Sequence, residues 1–166
     1  MKKIFLFTVT VCSFIYASAF RIEYGDHINI THAVYEDLYV AGGGITINAP
    51  IHGDLIIAGG TVIINDTVTN DILLAGGTAT FNGFVGDDIR CARGNIRISK
   101  NVTGDVVVAG GSVIIDKGVA IGGLVAGSGN ITVDGNVSGE VRGAFGNLIL
   151  NGNIVKDIDC RGMEKL

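Results

Sequence analysis

The sequence predicts an all-β, single-domain parallel β-helix, and three observations carry that prediction. Glycine supplies 26 of 166 residues while proline occurs once, and 48% of the chain is apolar, a composition that excludes collagen and disfavours disorder. Ile and Val together number 41 against 9 Leu, and two heavy atoms on Cβ suit a pleated strand better than a helix turn. The third observation is internal repetition at a fixed spacing of 17 residues, the signature of a solenoid. Charged residues reach only 17% and Trp is absent, so a nucleic-acid binder is not expected.

Lys2 and Lys3 precede an apolar run from Ile4 to Tyr16 and then Ala17-Ser18-Ala19. This charged, apolar and small-residue order is that of a secretory signal peptide, so residues 1–19 are read as a leader cleaved before Phe20. A run of 13 residues falls short of the ~20 that a spanning helix needs, and no stable transmembrane span is expected. Cleavage takes the formal charge from −4 to −6, because Lys2 and Lys3 leave and all 16 acids remain. The expected location is extracytoplasmic, in a periplasm or at the cell surface.

The repeat occupies the rest. Asp37, Asp54, Asp71, Asp88 and Asp105 open successive units, and Gly123, Glu140 and Asp157 continue the series after one extra residue, assigned to Ile121-Gly122-Gly123. Full units cover 37–156 within a helix running from 20 to 162, with partial coils at both ends and 163–166 as a tail. With each start counted as position 0, position 6 is Gly in all seven full units, from Gly43 to Gly146. Positions 1 and 3 are apolar in most units, and positions 8 and 10 in every full one, for example Val62 and Ile64. A spacing of two puts side chains on one face of a strand. Position 14, from Ile51 to Ile154, opens a third side. Asn, Asp or Ser at position 11 and Gly at position 6 read as corners. Three short strands per coil and about eight coils follow, because such strands bury their apolar faces only by stacking. Cys91 and Cys160 share position 3 four coils apart, about 19 Å at ~4.8 Å per coil, which is beyond disulfide reach.

The units Asp54-Leu55-Ile56-Ile57-Ala58-Gly59-Gly60-Thr61-Val62-Ile63-Ile64 and Asp105-Val106-Val107-Val108-Ala109-Gly110-Gly111-Ser112-Val113-Ile114-Ile115 resemble the bactofilin family of polymer-forming cytoskeletal proteins over residues 37 to 162. The resemblance implies a right-handed β-helix that assembles end to end without a nucleotide and scaffolds cell-shape or envelope proteins. Members are typically cytoplasmic with flexible tails, whereas this chain carries an export signal, so an exported relative is expected. The competing left-handed hexapeptide helix of acyltransferases matches at Leu74-Ala75-Gly76-Gly77-Thr78, but its coils have 18 residues rather than 17.

No catalytic, cofactor-binding or metal residue is assigned. His27, His32 and His52 read as corner residues without a matched nucleophile, and the stacked acids read as corner carboxylates bonded to backbone amides rather than as calcium ligands. The assembly surface is assigned to the ends, where inward Ile28, Ile30 and Val34 in the first coil and Leu150, Ile154 and Ile158 toward the last form open edges of core and sheet. A possible lateral surface comprises outward Ile56, Leu73, Val107 and Val125 at position 2 with Ile63, Ile114 and Ile149 at position 9. Arg90, Arg93, Arg97 and Lys100 form a basic belt that could meet an acidic glycan or an envelope protein. The expected partner is the chain itself, in a homopolymer. A surface binding or adhesion module on the same fold is the alternative, and an acyltransferase the third reading.

Overall fold

In the computed structural model, described for residues 20–162 apart from Arg93 and for the backbone alone at 161–162, the chain is a β-solenoid whose strands all pair in parallel. The strands are β1 (Phe20–Ile30), β2 (Asp37–Ile47), β3 (Leu55–Ile64), β4 (Ile72–Phe81), β5 (Ile89–Ala92), β6 (Asn95–Ile98), β7 (Val106–Ile115), β8 (Ala120–Ile121), β9 (Leu124–Val133), β10 (Asn136–Val137), β11 (Val141–Leu150) and β12 (Ile158–Gly162). One ten-stranded sheet runs β1-β2-β3-β4-β5-β7-β9-β11-β12, with β6 pairing β4 and β7. Its register matches the sequence repeat, as in Leu38↔Leu55, Leu55↔Ile72 and Ile72↔Ile89.

The second to seventh coils place positions 1, 3, 8 and 10 inside, illustrated by Leu55, Ile57, Val62 and Ile64, each at most 1% exposed. Positions 3 and 8 lie an odd number of residues apart, so the inward face must switch parity between them. The glycines at positions 5 and 6 make that switch. As a result sides one and two are a single bent strand in most coils, where the repeat suggested two separate ones. Side three is reduced to bridges such as Val34↔Ile51 and Ile51↔Val68, and to the two-residue pair β8 and β10. At the bend of the fifth coil Gly94 has φ +80, and a Cβ there would lie 1.3 Å from the carbonyl oxygen of Gly77 in the preceding coil. Only glycine fits that place.

Two local departures reveal how the core is kept full. The sixth coil gains its length before side three, where two extra residues lie between Asp116 and Ile121, and the corner Ile121-Gly122-Gly123 that follows is one residue shorter than in other coils. Val119 N–H donates to Asp116 O at 3.2 Å across a turn containing Gly118 at φ +83, and Ile121 rather than Val119 then pairs with Val137. Both Val119 and Ile121 are buried. In the eighth coil position 3 is Gly143, and Phe145 two residues on turns inward to 5% exposure. Gly143 has φ +147, and a Cβ on it would lie 3.0 Å from the Phe145 ring and 1.8 Å from Ala126 O.

Candidate assembly surfaces

The corner acids are bound into the backbone. Asp37 Oδ1 accepts the amide of Asp54 at 2.9 Å, Asp54 Oδ1 that of Asp71 at 3.3 Å, Asp71 Oδ1 that of Asp88 at 3.0 Å, Asp88 Oδ1 that of Asp105 at 2.7 Å, and Asp105 Oδ1 that of Gly123 at 2.6 Å. Each carboxylate thus satisfies a donor of the next coil, in agreement with the reading from sequence. A second ladder joins position 11, with Asn65 Nδ2 donating to Asn48 Oδ1 at 2.7 Å and Asn82 Nδ2 to Asn65 Oδ1 at 2.9 Å. Asp71, Asp87 and Asp88 bring carboxylate oxygens within 4.8 Å of one another. Arg90 answers that charge by pairing with Asp71 at 2.9 Å and Asp88 at 2.6 Å, and the two carboxylates raise its pKa.

The basic belt is therefore partly neutralised within the chain. Arg97 pairs with Asp116 at 3.0 Å, Arg93 lies outside the described residues, and Lys100 is exposed. Of the histidines, His27 and His32 line one shallow depression of about 400 Å³ at the N-terminal end, beside Arg21 and Glu23. Arg21 and Glu23 are paired at 2.6 Å, and His32 Nδ1 lies 3.1 Å from Thr31 Oγ1. His52 stands apart, stacked on Tyr35 with ring centroids 4.8 Å apart. His27 and His32 thus border one depression, while His52, read like His32 as a corner residue, stands on another part of the rod. Cys91 and Cys160 are free thiols, and burial pushes the Cys91 pKa up to about 12.

The ends differ. In the first coil Ile28 is half-buried, whereas Ile30 and Val34 are 5% and 2% exposed. At the other end Leu150 and Ile154 are half-buried and Ile158 is 49% exposed. The seven preceding residues of the Ile158 column, from Leu38 to Val141, are all at 0%.

The sides differ as well. At position 2 Leu73, Val107 and Val125 are exposed and Ile56 is half-buried; at position 9 Ile149 is exposed and Ile63 and Ile114 are half-buried. The position 9 residues alternate with Thr46, Thr80, Arg97 and Thr132, so side two is mixed. Side one is apolar over its first coils and carries Arg90 and Arg142 further along. A groove of about 320 Å³ there is lined by Ile22, Tyr24, Tyr39, Ile56, Leu73 and neighbouring alanines, with Glu23 at its N-terminal edge. The sequence reading missed Ile22, Tyr24 and Tyr39 on this side, although the 17-residue shift from Tyr39 and Ile56 would have found them. No family model, no curated protein and no solved structure matches the chain.

Proposed function

We propose that this chain is a non-enzymatic, exported β-helix scaffold, similar to bactofilins, that polymerises through the ends of its rod to organise envelope or surface components. The observation that carries the reading is Ile158, an inward core position left 49% exposed while the seven preceding apolar members of its column, Leu38 to Val141, are sealed. Among the described residues strand β12 pairs with β11 alone and leaves its other backbone edge open, and an unpaired edge is a template for another chain. A second copy stacked there continues the ladder and covers Ile158. The near-constant unit length leaves no inserted loop among the described residues to wall a cleft, and five of the corner carboxylates are engaged by amides, which supports a structural role over catalysis.

Electron microscopy and sedimentation of the purified chain test this. The parent forms long polymers, and Ile158→Arg reduces them to short rods by placing an unpaired charge in the junction. Long polymers from Ile158→Arg overturn end stacking, and dispersed short rods from the parent favour the binding-module alternative. Intact mass from the extracytoplasmic fraction tests export, with a chain beginning at Phe20 expected and the full 166 residues in the cytoplasm as the contrary result.

A further inference from the structure

We infer that side one of the rod is a self-docking face, on which a second copy lies parallel and in register about a two-fold axis parallel to the rod. The inference is independent of end stacking. It begins from the segregation of side chains around the coil. From Ile22 to Ala144 the outward positions 2 and 4 of side one hold no acid, and their only charges are Arg90 and Arg142. Most acids stand instead at position 0, at the position 11 corner or on side three, as with Asp37, Asp54, Asp116 and Asp87, and Glu23 of β1 is the acid nearest this face. Several apolar side chains on this face are strongly exposed: Tyr24 at 84%, Ile22 at 61% and Leu73 at 54%. A continuous apolar surface of this kind on a folded chain marks a contact site.

The two outward columns have different sizes, and this selects the occupant. Position 2 carries large residues, Ile22, Tyr39, Ile56, Leu73, Val107 and Val125. Position 4 carries Tyr24 in the first coil and from the second coil on only small residues, Ala41, Ala58, Ala75, Ala92 and Ala109, then Gly127 and Ala144. The ridge and the furrow run side by side along the rod because every strand pair keeps its register, as in Ile56↔Leu73 and Ala58↔Ala75. A two-fold axis parallel to the rod exchanges left and right on the facing sheet. From the second coil on it sets the apolar ridge of each copy into the furrow of the other, so that Leu73 meets the partner's Ala75 and Ile56 the partner's Ala58, while in the first coil the large Ile22 and Tyr24 both lie at the end of the seam. An axis perpendicular to the rod sets ridge on ridge and furrow on furrow, leaving voids. Interdigitation of this kind gives sheet packing near 10 Å.

Charge agrees with the same arrangement. Arg90 pairs with Asp71 and Asp88, and Arg142 with Glu140, all three acids lying at position 0. Both guanidinium groups therefore lean toward the corner, away from position 4, and sit on the rim of the proposed interface. With about eight coils at ~4.8 Å and four residues across, the face covers roughly 500 Å² in projection on each copy, which with side-chain corrugation reaches the range of specific interfaces, about 1,200–2,000 Å² in total. A lipid surface is a poorer fit, since nothing in a bilayer reads the alternation of ridge and furrow.

The test removes end stacking first, using the chain with Ile158→Arg, Cys12→Ser and Cys160→Ser, and retaining the buried Cys91. Sedimentation equilibrium at micromolar concentration is expected to give a dimer, and Leu73→Arg, outward and clear of the core, is expected to weaken it by ~100-fold or more. Thr80→Arg, on side two, leaves it intact. Orientation is read by oxidation of Ile56→Cys and Ala58→Cys chains: the two cross-link when mixed, and neither cross-links alone. A monomer with an intact face overturns the inference, as do a dimer indifferent to Leu73→Arg, cross-linking of either variant by itself, and binding of the monomer to phosphatidylcholine vesicles that Leu73→Arg abolishes. Because every chain in the test carries the end block, failure here is separate from failure of end stacking.

Discussion

Asp88 shows how one side chain serves three neighbours. Its Oδ1 accepts the amide of Asp105 at 2.7 Å, its Oδ2 pairs with Arg90 at 2.6 Å, and its own amide donates to Asp71 Oδ1 at 3.0 Å. Asp88→Ala is expected to lose ~1–3 kcal/mol in urea unfolding, because the Asp105 amide is left without its charged acceptor. Asp88→Asn, which keeps an acceptor, loses less. The solvated ion pair with Arg90 contributes little to that difference. Cys91 illustrates burial instead of bonding. Its thiol is held neutral by desolvation, up from 9.0 to about 12. Below pH 9 the thiol is protonated in folded and unfolded chains alike, so stability does not change on its account. As pH climbs from 9 toward 12 the unfolded chain releases the proton and the folded chain does not, so the parent loses stability relative to Cys91→Ala across that window. Urea midpoints of the two chains at pH 8 and pH 10.5 (about midway through that window) check the sign.

At the level of the strand, position 3 of the eighth coil is the informative place. Gly143 leaves a vacancy that Phe145 fills from position 5, so the two residues are one packing unit. Phe145→Ala is expected to cost ~3–5 kcal/mol by opening a cavity. Gly143→Ala also destabilises, since its φ of +147 and the 1.8 Å approach to Ala126 O both refuse a Cβ. Thermal melts of the two variants measure this. The period of 17 and the inward columns were legible because stacking forces identical residues into register, as Leu55↔Ile72 and Ile64↔Phe81 show. The Phe145 substitution was not legible, because a periodic reading assumes a fixed inward set and cannot see one position lend its side chain to another. The misplaced extra residue has a similar cause: Gly122-Gly123 and Lys117-Gly118 are both plausible turns by residue type, and the pairing of Ile121 with Val137 shows that the first corner is shortened by one residue and the second lengthened by two.

For the whole molecule, coils interact with nearest neighbours, and stability should grow with their number. Inserting a copy of residues 54–70 after Asn70 is expected to preserve folding, lengthen the rod by ~4.8 Å in solution scattering, and raise the denaturation midpoint. An insertion that unfolds the chain would show that the coils are not interchangeable. The corner acids make a second expectation at this scale. With five carboxylates bonded to amides, melts in calcium and in chelator should coincide, and a large calcium-dependent rise would contradict that role. The surfaces were only partly legible. Exposed aliphatics at positions 2 and 9 looked alike in the sequence, yet from Tyr39 to Leu73 side one is apolar without a break, while side two is broken by Thr46, Thr80 and Arg97.

The carboxylate ladder ends at Gly123, which accepts nothing through a side chain, and among the described residues no further rung reaches Glu140 or Asp157. The solenoid therefore has a latched portion and an unlatched one. Hydrogen exchange should read this as a gradient, with the amides of Asp54, Asp71, Asp88 and Asp105 exchanging only on large openings and those of Glu140 and Asp157 exchanging through fraying. Under tension the same asymmetry sets a direction of unzipping: coils peel from the Ile158 end inward and stall where the first latch, Asp105 on Gly123, must give way.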